Sequence, residues 1–186
     1  MKKVLICFLI IIGSLTFVGC SSPGKNISKP EKTIVIGVMP DIESIPFIIA
    51  EKNGYFDQAG VQVKIEHFKS AKDRDSALQS GKLDGMISDI LAVVFANEGG
   101  INLKIISATE GNIELLAGKD SGINSIKDVK GKEMGMSTNT IMEYTADKML
   151  ETAQISPADI KKVAIPQLPT RLEMLQGGKI DAAILP

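Results

Sequence analysis

The 186-residue sequence contains one histidine, two cysteines and two arginines. His67 by itself cannot complete a Ser-His-Asp set, and with no cysteine or second histidine beside it there is no metal-ligand set. No G-x-x-x-x-G-K-[ST] run occurs, which excludes a phosphate cradle of that type. The formal charge is only −1, with both signs scattered, so the chain carries no electrostatic footprint for nucleic acid. No cofactor is expected from these patterns. Past residue 20 there is no second long apolar run, so the remainder is expected to lie outside the membrane.

What is present begins at the N-terminus. Lys2 and Lys3 precede the apolar run Val4 to Ile12, followed by Gly13-Ser14-Leu15-Thr16-Phe17-Val18-Gly19-Cys20. A positive end, an apolar middle and a small residue before the cut are the order of a secretory signal, here residues 1–19. A retained membrane span is the alternative, but the segment is at the lower limit of spanning length and is interrupted by Gly13, Ser14 and Thr16. Phe17-Val18-Gly19-Cys20 resembles the lipobox of bacterial lipoproteins, with Phe17 where Leu is usual. That resemblance implies a thioether-linked lipid on Cys20, cleavage in front of it and anchoring to the outer side of the cell membrane. One acyl chain binds a bilayer only marginally, whereas two or more hold firmly. Cys7 leaves with the signal, so Cys20 keeps no disulfide partner. Loss of residues 1–19 removes Lys2 and Lys3 and leaves 167 residues with a formal charge of −3. Residues 20–32 are polar and rich in turn formers, and read as a flexible tether.

From Thr33 short β-branched runs alternate with helical stretches, the pattern of an α/β fold with parallel strands and crossover helices. Strands are expected at Ile34–Met39, Val61–Glu66, Gly85–Ser88 and Leu103–Ser107, and helices at Pro46–Phe56, Ala71–Ser80 and Ile90–Glu98. A second set follows: strands at Glu114–Ala117, Glu133–Met136, Lys162–Ile165 and Ala182–Leu185, helices at Thr140–Thr152 and Thr170–Gln176, and helical turns at Ser125–Val129 and Pro157–Ile160. Two Rossmann-like lobes, residues 33–109 and 110–186, are expected, with the chain crossing between them within Thr109–Gly118. The sequence also repeats itself. Leu78 to Ile87 (LQSGKLDGMI) matches Leu175 to Ile184 (LQGGKIDAAI) at a constant offset of 97 residues, each copy ending a helix at a glycine suited to the left-handed conformation. Reuse of one turn chemistry is the alternative to duplication.

In parallel sheets the loops leaving the carboxyl ends of strands face the binding crevice. Those loops are Met39–Ser44, Ser88–Ile90, Thr109–Asn112 and Ser137–Thr140. Ser137, Thr138, Asn139 and Thr140 precede an expected helix, whose free N–H groups with hydroxyl and amide side chains beside them suit a sulfonate, carboxylate or phosphate oxygen. Thr138 or Asn139 as a plain helix cap is the alternative. Ser88 and Asp89 hold the equivalent place in the first lobe, where Asp89 either caps a helix or accepts from a solute N–H. Met39, Asp41, Glu43, Ser44 and Glu110 lie on the other two loops; several carboxylates facing the crevice would argue against a dianion and for a solute with N–H donors, and solvated surface carboxylates are the alternative. Arg171 has the fork to hold a carboxylate or sulfonate. The alternative for it is an exposed surface position.

Ala50 to Val63 (AEKNGYFDQAGVQV) resembles the periplasmic binding proteins for nitrate, sulfonates, taurine and thiamine-precursor pyrimidines, in which a helix ends in Gly-Tyr-Phe and a strand begins after another glycine. In this reading Tyr55 and Phe56 cover the core at the helix exit. Ser125 to Lys132, followed by Met134-Gly135-Met136, resembles the entry to the second lobe of the same family. The resemblance implies the type II periplasmic-binding-protein fold, a monomer whose two hinged lobes close over one small polar or anionic solute. It also implies partners: an ABC permease with its ATPase, and the membrane through the lipid on Cys20. Members of the family continue beyond the point matching Leu185-Pro186, so the chain is expected to be incomplete in its second lobe, with its terminal strand leaving a sheet edge unprotected. An extracellular sensor with the same fold is a competing reading. An enzyme similar to the fungal pyrimidine synthases is another, although their cysteine-rich motif is absent here, and no enzyme activity is expected.

Overall fold

A computed structural model describes residues 32–186. Cys20, the expected signal of residues 1–19, and all of the expected tether except Lys32 lie outside the described residues. Lys32 itself is fixed to the fold, its Nζ 2.5 Å from Asp84 Oδ1.

The architecture is α/β, with two sheets. In the first, β1 (Ile34–Val38) pairs in parallel with β2 (Val63–His67) and β3 (Gly85–Met86), in the order β2-β1-β3. A 3-10 turn (Ile42–Ser44), α1 (Ile45–Lys52) and α2 (Tyr55–Gln58) join β1 to β2, and α3 (Ala71–Gln79) joins β2 to β3. The helix α4 (Ile90–Glu98) follows. The expected single helix over Pro46–Phe56 is therefore two, because Gly54 adopts φ +67° and ends the first hydrogen-bond ladder. That break turns Tyr55 outward: it is 52% exposed and its hydroxyl accepts from Asn53 Nδ2, so it does not cover the core.

In the second sheet β4 (Glu114–Ala117), β5 (Glu133–Met136), β6 (Lys161–Ala164) and β7 (Ala182–Leu185) lie in the order β4-β7-β5-β6. Only β4 runs antiparallel to its neighbour. Helix α5 (Ile141–Thr152) connects β5 to β6, and α6 (Leu168–Gln176) connects β6 to β7. The strand β7 is not an unprotected edge. It sits inside the sheet, with β4 saturating its outer ladder and β5 its inner one. Its side chains alternate between the two faces. Ala182 and Ile184 join Met134, Met136, Ala146 and Leu150 on the α5 side, while Ala183 and Leu185 join Ile165, Leu168, Leu175 and Ile180 on the α6 side.

The expected strand Leu103–Ser107 is absent. Asn97, near the end of α4, accepts from the Leu103 N–H through Oδ1 at 3.0 Å, which spends a donor that a ladder would need. β3 is also only two residues long and offers little edge to pair with. Ile105 and Ile106 are consequently exposed, as are Ile90 and Phe95 on α4.

The sequence repeat is also a repeat in space. Gly37 pairs with Met86 and Gly135 with Ala183, the same register after 98 and 97 residues. Asp84 Oδ2 accepts from the Val35 N–H at 3.0 Å, and Asp181 Oδ2 accepts from the Glu133 N–H at 2.9 Å. The two repeat glycines, Gly81 and Gly178, take φ +71° and +63°. Both sheets are thus built on the same strand–helix–strand unit, with one buried arginine in each helix.

Candidate functional site

Arg74 on α3 and Arg171 on α6 are the two arginines of the chain, and both are buried. Each passes close to a glycine on the neighbouring strand. A Cβ built on Gly37 would lie 3.4 Å from Arg74 Cγ, and one on Gly135 would lie 3.3 Å from Arg171 Cγ. Beyond that point each guanidinium arrives at the carboxyl ends of its sheet. Arg74 Nη1 donates to the Ile87 carbonyl at 2.9 Å, its Nη2 donates to Ser88 Oγ at 2.9 Å, and Nη1 lies 3.3 Å from Met39 Sδ. Arg171 Nη1 donates to the Ile184 carbonyl at 2.5 Å, its Nε donates to the Ile165 carbonyl at 2.9 Å, and Nη2 donates to Ser137 Oγ. Arg171 is therefore not on the surface. The glycine beneath it and the strand-end carbonyls around it give a long polar side chain a buried path with its donors satisfied.

The two arginines differ in charge balance. Arg74 has Asp75 at 2.8 Å, whereas no carboxylate lies within 4.0 Å of Arg171 among the described residues. Burial pulls the Arg171 guanidinium down to about 10, so it remains charged at neutral pH. Burial pushes the Asp75 carboxyl up, against the pull of Arg74.

Most of the candidate residues are occupied within the protein. Met39 is 7% exposed and packs against Ile165, Leu168 and Leu185, which joins the first sheet to the second. A backbone bond from Leu168 N to the Lys69 carbonyl, 3.0 Å, makes a second link. Asp41 Oδ1 accepts from the Ser44 N–H at 3.1 Å, and Ser44 Oγ, fully buried, lies 2.6 Å from the Met39 carbonyl. Asp89 caps α4 by accepting from Ala92 N at 2.9 Å. Glu43 reaches Gly111, which brings the first loop beside residues 110–111, while Glu110 itself is exposed.

At the start of α5 the cap is Thr140, not Thr138 or Asn139: its Oγ1 accepts from Met142 N at 3.2 Å and donates to the Ser137 carbonyl at 2.8 Å. Asn139 sits at φ +56°, and its N–H donates to Glu143 Oε2 at 2.8 Å. The protein's own carboxylate thus takes one of the N–H groups that an anion would need. Glu143 Oε1 in turn lies 2.9 Å from Lys162 Nζ, which also reaches Asp147 Oδ2 at 2.9 Å. Thr138 and Asn139 remain exposed. Ser137, only 5% exposed, accepts from Arg171 and supports the loop from beneath.

Arg74, Glu143 and Lys162 were not among the candidates. Arg74 was findable, because it stands 97 residues before Arg171, the spacing of the repeat. Glu143 completes a Thr-x-x-Glu pattern with Thr140, a further available signal. Two concavities lie away from the strand-end loops. One of about 350 Å³ is lined by Thr33, Glu51, Gly54, Phe56, Asp57, Gln62 and Val63, and one of about 160 Å³ lies between α3 and α4. Among the described residues no group of three His, Cys, Asp or Glu side chains converges as a metal site.

The family model described as NMT1/THI5 like matches residues 41–186. A Brachyspira hyodysenteriae protein assigned as an ABC transporter periplasmic binding protein is 25% identical, over 98% of this chain and 57% of its own length. A Bacillus subtilis protein assigned to aliphatic sulfonate binding is 30% identical, over 74% of this chain and 42% of its own length. The chain thus spans about half the length of these curated relatives. The solved structure of the alkanesulfonate-binding protein SsuA from Xanthomonas axonopodis pv. citri bound to MOPS superposes with a TM-score of 0.63 at 17% identity, covering 82% of this chain and 54% of that one. The shared fold is that of type II periplasmic binding proteins.

Proposed function

Because the chain belongs to the NMT1/THI5-like family, we propose that it serves as the extracytoplasmic solute-binding component of an ABC importer. It is not an enzyme in this reading. The observation that carries the reading is the duplicated sheet end. Met39, with Ser88 beside it, in the first sheet and its repeat equivalent Ser137 in the second sit at the carboxyl ends of parallel strands, the place where such strands bind ligands, and each is underpinned by a buried arginine. Two lobes, residues 33–109 and 110–186, would close over one small polar solute with Thr138 and Asn139 among its contacts. The solute class is an organic anion such as an alkyl sulfonate, in line with the uncompensated charge of Arg171 behind Ser137. A lipid on Cys20 would hold the protein beside its permease.

A thermal-shift panel of alkyl sulfonates, nitrate, pyrimidines and amino acids tests this on the full chain. A solute present at about 100 times its dissociation constant adds roughly 2.7 kcal/mol to stability and raises the melting temperature accordingly. A shift with a sulfonate supports the assigned class, a shift only with a pyrimidine or amino acid replaces it, and no shift with any compound overturns solute binding by this chain.

A further inference from the structure

We infer that Arg74 and Arg171 are matched positioning residues, each tying the strand-end loop that faces the solute to the end of its own sheet. The inference rests on the proposed binding role of those loops, but the tie itself is a property of the protein without solute. Several observations carry it together. The arginines stand at the repeat spacing of 97 residues and each is at most 4% exposed. Both reach the carbonyl of the same repeat position, Ile87 directly after β3 and Ile184 in β7, 97 residues apart. From there each guanidinium extends to the loop after the first strand of its unit, at Met39 and Ser137, equivalent positions 98 residues apart. Arg74 also holds Ser88.

A guanidinium has five donors in a fixed plane, so it can bind a strand-end carbonyl and a loop side chain at once. Lysine presents one compact ammonium and cannot span both with the same geometry. Gly37 and Gly135 leave the space through which the two side chains pass, which makes the route part of the backbone design. In a loop that otherwise holds only short polar side chains, this tie limits how far residues 137–140 move before solute arrives, and preorganisation of that kind reduces the ordering cost of binding.

Amide hydrogen exchange of the full chain, without solute, tests the tie. In Arg171→Met, amides of residues 137–141 are expected to exchange about 10-fold faster while those of β1 and α3 keep their protection, as expected for local opening. Arg74→Met is expected to loosen residues 39–41 and 87–90 and leave 137–141 unchanged. Arg171→Lys is expected to behave like Arg171→Met, because the charge survives and the fork does not. Ser137→Ala removes only the loop end of the tie, so it keeps the test decisive should the arginine variants fail to fold, and faster exchange confined to 137–141 is expected. Unchanged exchange at 137–141 in Ser137→Ala, full rescue by lysine, or loosening spread evenly over both sheets would overturn the inference. A protein that shows the local loosening yet binds nothing in the solute panel keeps the tie and loses only the binding role.

Discussion

Glu143 Oε2 lies 2.8 Å from the backbone nitrogen of Asn139, so a carboxylate on the first turn of α5 holds a left-handed residue of the loop in front of it. The other carboxylate oxygen is engaged by Lys162 at 2.9 Å, which connects the loop to β6 through two side chains. A non-glycine residue at φ +56° is uncommon, and an acceptor placed on its N–H helps to maintain it. The loop is therefore held from two sides, by Glu143 at Asn139 and by Arg171 at Ser137.

The Asn139 contact predicts a pH signature. The Asn139 N–H, then Lys162, hold the Glu143 carboxyl below its ordinary value of 4.5. A carboxyl depressed in the folded state contributes stability that is complete above its unfolded value and is lost as pH falls through the lower folded value. The Asn139 amide resonance is expected to titrate with a midpoint below that ordinary value, and Glu143→Gln is expected to abolish the step. A midpoint at or above it in the native chain would show that the carboxylate does not bind this N–H in solution.

The two strand glycines predict a matched pair of packing costs. A Cβ on Gly135 would come to 2.6 Å from Ile180 Cδ1 and 3.1 Å from Ile165 Cδ1, and one on Gly37 to 2.6 Å from Leu83 Cδ1 and 3.2 Å from Phe68 Cε2. Gly135→Ala and Gly37→Ala should each lose about 1–3 kcal/mol, the usual range for overpacking. Urea unfolding measures both. A pair of substitutions that leaves the midpoints unmoved would mean that the close approach of strand and helix relaxes freely.

The sequence conveyed most of the second half because its strands are β-branched or apolar runs bounded by turn chemistry, and its helices begin at polar caps or at proline. The helical turn expected from Pro157 is present, with Ser156 accepting from Ala158 N in front of it. The strand expected at Leu103–Ser107 has equally good composition. A side chain six residues away, Asn97, decided its state by taking a backbone donor, and periodicity carries no record of such a bond. Topology points to the candidate loops, but the employment of Asp41, Asp89 and Thr140 as caps depends on side-chain direction. The exposed alternative for Arg171 rests on composition, and burial rules it out. Set beside Arg74 at the repeat spacing, Arg171 belongs to a structural pair, and only three-dimensional packing shows the glycine that admits it.

The uneven division of buried apolar surface predicts contrasting responses to truncation. Leu150 on α5 is fully buried within the cluster formed by Met134, Met136, Ala146 and Ile184. Leu150→Ala is expected to cost about 2–5 kcal/mol, combining lost transfer free energy with a cavity. Ile106 is 96% exposed in the segment that joins no sheet, so Ile106→Ser should change stability by no more than about 0.5 kcal/mol. Comparable losses from both substitutions would show that residues 103–107 pack in solution as the core does.

A lipid on Cys20, as proposed, would hold the fold at the membrane. We propose that Ser21 to Lys32 act as a tether; a flexible chain of that length has a root-mean-square reach of about 20 Å, enough to keep a small domain beside a membrane partner without pressing it onto the bilayer. Lys32, the first described residue, places its ammonium 2.5 Å from Asp84. In a bacterial host the full chain should incorporate labelled fatty acid, lose residues 1–19 and sediment with membranes. Cys20→Ser should take up no label and keep the signal segment, since no other side chain in Phe17 to Ser22 supplies a thiol. Labelling that persists in Cys20→Ser, or processing of the native chain without any lipid, would remove the anchor from the proposed function while leaving the solute-binding reading to its own test.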